Sequence, residues 1–476
     1  LLRLKYNFSI QKFAIMRSIT KTLSGLSILS LIVFISCQKQ VDKPFSQQQA
    51  EEAGAANNNK EHGHLKQTKT FSSDLVVRWI NVQLDMFRLP LPAGTGTQAT
   101  DRAQGYSGIA LYEAVVPGMP AYQSLSGQLT DFPSMPFTEP GKAYHWAASA
   151  NAALAEISRR LFPTTAEKNK TLITHVEDSL KAKYAGEVDA ATLQRSTAFG
   201  KEVATRVANW AATDGSANVN PPYVSPVGFG LWIPTSPPPA AAVGPYAYQR
   251  RLMVPGSNAG TTLTPPPPFS TDPSSAYYAM VKKVYDASLL LTTDQKAMAD
   301  YFKDNPGYGP GGGFVWVLQE ALRISNPTLD QAAVTYAKIG MAQHDVTIVL
   351  FTSKYTFNVM RPVTYIRANI PGAGAWTTYI PTPNHPEFPS GHATTNGAVI
   401  TMLSNSFGEN FPITLHTYDY LGYAPRHYNT FTQMGTDMAD SRVYGGLHYV
   451  ETQEKSLVQG KKVAQNILNN IKFLKE

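Results

Sequence analysis

The sequence predicts a helical protein. Apolar residues recur at helical spacing behind capping residues through most of the chain after Ser72, and no stretch alternates apolar with polar residues over the length a strand needs. The chain has 476 residues, of which 43% are hydrophobic and 16% charged, so it can bury one large core or two packed ones. The formal charge of +7 does not point to a nucleic-acid partner. Arg3, Lys5, Lys12, Arg17 and Lys21 lie in the first 36 residues with no acid among them, and the remainder is close to neutral.

The N-terminal end reads as a targeting segment. Met16-Arg17-Ser18 opens a basic stretch, and Leu23 to Ser36 is a 14-residue run of apolar and small residues. That run is too short to span a bilayer and suits the core of a signal peptide. It ends in Phe34-Ile35-Ser36-Cys37, and Cys37 is the only cysteine, so no intrachain disulfide can form. Residues 16–37 therefore resemble a bacterial lipoprotein signal with its lipobox, except that Phe34 stands where Leu is usual. The resemblance implies lipidation at Cys37 and a lipid-anchored place in the bacterial cell envelope; a plain secretory signal is the other reading. Residues 38–71 are rich in Gln, Glu, Asn, Lys and Ala and read as a flexible tether.

Ser72-Ser73-Asp74 then caps a helix carrying Leu75, Val76, Trp79, Ile80, Val82, Leu84, Met86 and Phe87. Helical periodicity continues over about 99–115, 141–161, 165–183 and 187–212, with His145 and His175 as structural residues. Between 213 and 273 the prolines at 221–222, 237–239 and 265–268 forbid continuous helix. So long a connection is expected to wrap the surface or line a cleft. Helices resume at about 275–290, 293–304, 314–325 and 328–360, the last stopped by Arg361-Pro362. This divides the chain into an N-terminal helical part with its proline-rich wrap, 72–270, and a C-terminal part, 271–476, that carries the chemistry.

Three clusters fall in that second part. The first is Lys354, six residues, then Arg361-Pro362; the second is Pro389-Ser390-Gly391-His392; the third is Ser441-Arg442, five residues, then His448. They supply two guanidinium forks, an ammonium, a hydroxyl, a glycine N–H and two imidazoles. Forked donors match the paired oxygens of a tetrahedral oxyanion. Seven residues make two helical turns, so the spacing predicts Lys354 and Arg361 on one helix face. His392 opens a further helix, which places Ser390 and Gly391 at an N-terminus, where free N–H groups favour an anion. A helix over about 430–443 carries Ser441 and Arg442, and Gly445-Gly446 makes a turn able to swing His448 back.

In this order and register the clusters resemble the signature shared by vanadium-dependent haloperoxidases and type 2 phosphatidic acid phosphatases (PAP2). The resemblance implies an all-α fold with the anion site in a four-helix bundle of the C-terminal half. It implies vanadate as cofactor, held by Lys354, Arg361, Ser390, Gly391 and Arg442 and bound through His448. His392 is the implied acid–base residue, and the cations, Lys354 among them, polarise bound peroxide. The implied reaction oxidises a halide with hydrogen peroxide to a hypohalous-acid equivalent that reaches an organic acceptor. His385 stands where algal bromide-oxidising members carry His and chloride-oxidising members tend to carry Phe, which implies oxidation of bromide and iodide. Two alternatives remain: a PAP2-type acid phosphatase with His448 as nucleophile, and a non-catalytic surface lipoprotein. The family commonly places Asp four residues after the last His to orient it; here that position is Thr452, beside Glu451.

Overall fold

The structure is a computed structural model that describes residues 66–87, 97–235, 241–303 and 315–476, the side chains of 97–99 excepted. The signal segment, Cys37 and most of the tether lie outside the described residues. The tether expected to run to residue 71 ends sooner. Thr68 and Phe71 are buried, and the Thr68 hydroxyl donates to the Val115 carbonyl at 2.8 Å.

The fold is helical. Among the described residues, five helices precede the proline-rich stretch: α1 (Asp74–Phe87), α2 (Thr97–Val115), α3 (Trp146–Leu161), α4 (Glu167–Ala185) and α5 (Ala190–Ala211). Eight follow the proline-rich stretch: α6 (Ala276–Leu289), α7 (Thr293–Tyr301), α8 (Val315–Ser325), α9 (Leu329–Phe357), α10 (Pro362–Asn369), α11 (Gly391–Phe407), α12 (Phe431–Tyr444) and α13 (Val450–Asn470). Among the described residues the one sheet is a short antiparallel pair, β1 (Ile413–Leu415) with β2 (Arg426–Tyr428), in which Thr414 faces His427. No helix of the described residues is long and apolar enough to cross a membrane.

Helix α9 organises the rest. A capping box of Thr328 and Gln331 starts it, and it runs 29 residues. Nearly every side chain up to Phe351 is buried, because α9 packs on α2 on one side and on α11 and α13 on the other. Helices α9, α11, α12 and α13 pack on one another as a four-helix bundle, which agrees with the expected bundle of the C-terminal half.

Helix α13 was not foreseen from periodicity. Its buried face is made of Thr452, Gln453, Ser456, Gln459, Gly460, Val463, Ala464, Asn466 and Ile467, a face too polar and small to stand out as an apolar stripe. Small residues are needed there because α11 and α13 approach very closely. A Cβ at Gly460 would strike the Thr394 carbonyl oxygen, and one at Gly397 the Leu457 carbonyl oxygen. Gly460→Ala is therefore expected to destabilise the protein by at least about 1–3 kcal/mol. A thermal melt matching wild type would show that the two helices are not pinned at this crossing.

The proline-rich stretch bonds to the C-terminal helices and their loops at several points. Leu231 forms a bridge with Val359, and Met360 N–H donates to the Gly230 carbonyl at 2.9 Å. Met253 and Val254 donate backbone N–H groups to the buried Asp345 carboxylate at 2.7 and 3.0 Å. Val243 N–H and the Asn384 carbonyl pair at 3.0 Å, so the wrap also braces the loop leading into the second cluster.

Candidate oxyanion site

The three clusters converge, but not as helical spacing suggested. Helix α9 ends at Phe357, and Asn358 takes a left-handed conformation (φ 49°, ψ 42°) that turns the chain. Arg361 lies beyond that turn in extended backbone, as the N-cap of α10, and Pro362 is the first residue of α10 rather than the end of α9. Lys354 and Arg361 therefore do not share a helix face. They meet because the Asn358 turn and the bridge to Leu231 redirect the chain.

Lys354, in the last turn of α9, is fully buried. Its ammonium donates to the carbonyls of Pro386 at 2.9 Å and Glu387 at 3.2 Å, and also to that of Pro389. Three protons meet three carbonyls, so here Lys354 clamps the loop before Ser390. Burial, then the Arg361 charge, depresses its pKa well below the usual lysine range.

Arg361 is fully buried as well. Its Nε donates to His385 O at 2.9 Å, and Nη1 donates to Leu447 O at 3.0 Å. The fork also reaches both imidazoles: Nη1 lies 3.2 Å from His448 Nε2, and Nη2 lies 3.0 Å from His385 Nδ1. A guanidinium can only donate. His448 Nε2 is therefore a lone-pair acceptor and that ring carries its proton on Nδ1, whereas His385 Nδ1 stands between the guanidinium and the Pro386 carbonyl oxygen at 3.2 Å.

His448 sits past the turn at Gly445 and Gly446, where Gly446 has φ 78° and Leu447 N–H returns to Arg442 O at 3.0 Å. Its Nδ1 is 2.9 Å from Glu387 Oε1. Glu387 also accepts from Tyr449 N–H at 3.1 Å and from the Thr452 hydroxyl at 3.2 Å. Burial, followed by the charges of Arg361, Lys354 and Arg442, pushes the His448 pKa well below its ordinary value, which makes the ring neutral. Glu387 was not picked out in the sequence as a site residue. The absence of Asp at Thr452, with an unassigned Glu inside the second cluster's approach, was the signal that could have found it.

Ser390 is the N-cap of α11, and its backbone N–H donates to the Ser456 hydroxyl of α13 at 2.8 Å. Gly391 and His392 are the first two residues of α11, both half-buried. His385 is half-buried too, with Phe351 edge-on at 5.5 Å. Burial, then Lys354 and Arg361, holds its pKa well below the usual imidazole value. Ser441 is buried and bonds back to Met438 O at 2.7 Å. Arg442, in the last turn of α12, is buried and donates to Phe302 O at 2.7 Å.

The electrostatics of this arrangement define its partner. Lys354, Arg361 and Arg442 are buried together, and among the described residues the carboxylate found against Lys354 and Arg361 is Glu387. Burial lowers the Arg361 pKa to about 10, and Arg442 adds to the lowering. Buried charge of one sign is costly unless a counter-charge meets it. An oxyanion beside a bare imidazole nitrogen and a helix N-terminus answers that need, and a tetrahedral oxide such as vanadate or phosphate suits the donor set.

Residues 334–475 match the family model of the VCPO second helical-bundle domain. No match was found among curated protein sequences. Among solved structures, the first bacterial vanadium-dependent iodoperoxidase is similar at 25% identity and TM-score 0.76, over 88% of this chain and 99% of that one. Apo and holo forms of a bacterial vanadium-dependent chloroperoxidase are each similar at 17% identity and TM-score 0.59. These cover 80% and 81% of this chain, and 95% and 94% of those chains. At that identity they speak for the fold.

Proposed function

We propose that this chain is a vanadium-dependent haloperoxidase, oxidising a halide with hydrogen peroxide and passing the hypohalous-acid equivalent to an organic acceptor. The observation that carries the reading is the buried trio Lys354, Arg361 and Arg442 beside a neutral His448 whose Nε2 is unprotonated and faces Arg361. The matched domain and the fold shared with the iodoperoxidase support it.

When bound, vanadate supplies a Lewis-acid centre that activates peroxide without changing its own oxidation state. The chain supplies the rest. Arg361, Arg442, Ser390 and the Gly391 N–H would hold its oxygens, and His448 would offer the metal the Nε2 lone pair that now faces Arg361 Nη1 at 3.2 Å. Lys354 stiffens the loop that presents Ser390 and adds positive field. His392, half-buried in the first turn of α11, would act as the acid–base residue that holds the proton exchanged between peroxide and product water. The balance is one peroxide, one halide and one proton giving one hypohalous acid and one water.

Vanadate-dependent oxidation of iodide and bromide tests the reading, paired with metal analysis after soaking in orthovanadate. A PAP2-type phosphatase would use the same bare Nε2 as nucleophile, with Glu387 supplying the orienter that Thr452 does not. Hydrolysis of a chromogenic phosphate ester without halide oxidation would replace the first reading with this one, and silence in both assays would leave a non-catalytic lipoprotein.

For halide choice we propose that iodide and bromide are oxidised and that chloride turnover is negligible at neutral pH. His385 Nδ1 lies 3.0 Å from Arg361 Nη2, where it can accept, and 3.2 Å from the Pro386 carbonyl oxygen, so a polar ring stands against the site's guanidinium. A polar ring raises the local dielectric and softens the cation field. His385→Phe removes that acceptor and is expected to alter bromide kinetics and admit slow chloride turnover at acidic pH. Efficient chloride oxidation by the unmodified protein would refute the assignment.

The anchor is likewise a proposal, supported by Cys37 standing directly after the apolar run. Several acyl chains hold a protein on a membrane far more firmly than one. Cys37→Ser is expected to move the protein from the membrane to the soluble or unprocessed fraction. An unchanged lipid-labelled membrane fraction would sink the idea.

A further inference from the structure

We infer that Glu387 is the positioning residue that selects the metal-binding tautomer of His448, a task moved here from the helix after that histidine to the loop before Ser390. The inference rests on the proposed vanadate site. In the resembled signature the orienting acid stands one helical turn beyond the last histidine, and that position is Thr452. Thr452 cannot do the task, because its hydroxyl is already a donor to Glu387 Oε2 at 3.2 Å. Glu387 reaches the same place from 61 residues upstream, with Oε1 2.9 Å from His448 Nδ1.

Two contacts on opposite sides of the ring agree on the proton's place. Arg361 Nη1 has only protons to offer, so Nε2 must be the acceptor. The proton of the neutral ring then lies on Nδ1, facing Glu387. The carboxylate is itself held in place by Tyr449 N–H at 3.1 Å and by Thr452, both in or beside the first turn of α13. Its carbonyl accepts from Lys354 at 3.2 Å, and its N–H donates to Val359 O at 2.9 Å. Glu387 thus joins all three clusters: backbone bonds reach the Lys354–Arg361 segment, and the side chain reaches His448. Metal-ligating histidines characteristically donate their other ring N–H to such a partner, which sets tautomer and basicity.

The test uses the full chain without vanadate, labelled with 15N in its histidines, and then titrated with orthovanadate. The wild-type His448 ring should show a protonated Nδ1 and a bare Nε2. Glu387→Leu removes the carboxylate and every acceptor facing Nδ1, whereas a Gln would keep an accepting oxygen there. Glu387→Asp keeps the charge but draws it back by one methylene, so it separates position from charge. Both should move proton population to Nε2 and weaken orthovanadate binding by roughly 10–100-fold. Glu387→Leu combined with Thr452→Asp should return the proton to Nδ1 and recover most of the affinity. Wild-type tautomer in both single variants would overturn the inference, even if orthovanadate binding fell, because the residue would then be structural only. A wild-type protein that binds no vanadate and oxidises no halide would defeat the proposed function instead and leave the tautomer assignment standing.

Discussion

His448→Ala is expected to abolish tight vanadate binding and, with it, halide oxidation. The substitution removes the bare Nε2 that faces Arg361 and the other cations. Loss of an outer partner of a metal ligand costs about 10–100-fold in affinity, so loss of the ligand itself should exceed that range. The guanidinium of Arg361 keeps its carbonyl partners at His385 and Leu447, and Glu387 keeps Tyr449 N–H and Thr452. The cradle should therefore survive and still hold phosphate, whose binding needs the cations rather than an imidazole ligand. Equilibrium dialysis with metal analysis gives the vanadate affinity, and the rise in melting temperature with phosphate reports the cradle. A His448→Ala variant that binds vanadate like wild type would remove His448 from the metal site.

His392→Ala is expected to separate binding from turnover. His392 is the second residue of α11 and half-buried, where Ala is an equally good or better helix former. Folding and vanadate affinity should stay near wild type. Turnover should fall by on the order of 10²-fold or more, the usual contribution of a positioned acid–base group. Steady-state halide oxidation at saturating vanadate measures this directly. Unchanged turnover would mean that peroxide exchanges its proton with solvent or with another group. A parallel loss of vanadate affinity would mean that His392 holds the oxyanion instead.

The sequence by itself determined most of the helices, their order and most of the chemical inventory of the site. Periodicity and capping are local, so α9 with its capping box, α11 behind Ser390, and α12 carrying Arg442 were all legible from neighbouring residues. The glycine pair before His448 was equally plain, since a left-handed turn favours glycine. Tertiary structure alone decided how these parts meet. Seven residues suggested one helix face for Lys354 and Arg361, whereas the turn at Asn358 breaks the helix and a bridge to Leu231 sets the new direction. Helix α13 was hidden because close approach to α11 requires glycine and small polar residues where periodicity looks for large apolar ones. Glu387 was hidden for a related reason. A carboxylate 61 residues from its histidine leaves no spacing to read, and only the convergence of the second and third clusters shows that it serves His448. Local pattern records what each segment is made of and how it winds; which groups face each other across the bundle depends on contacts between segments far apart in the chain.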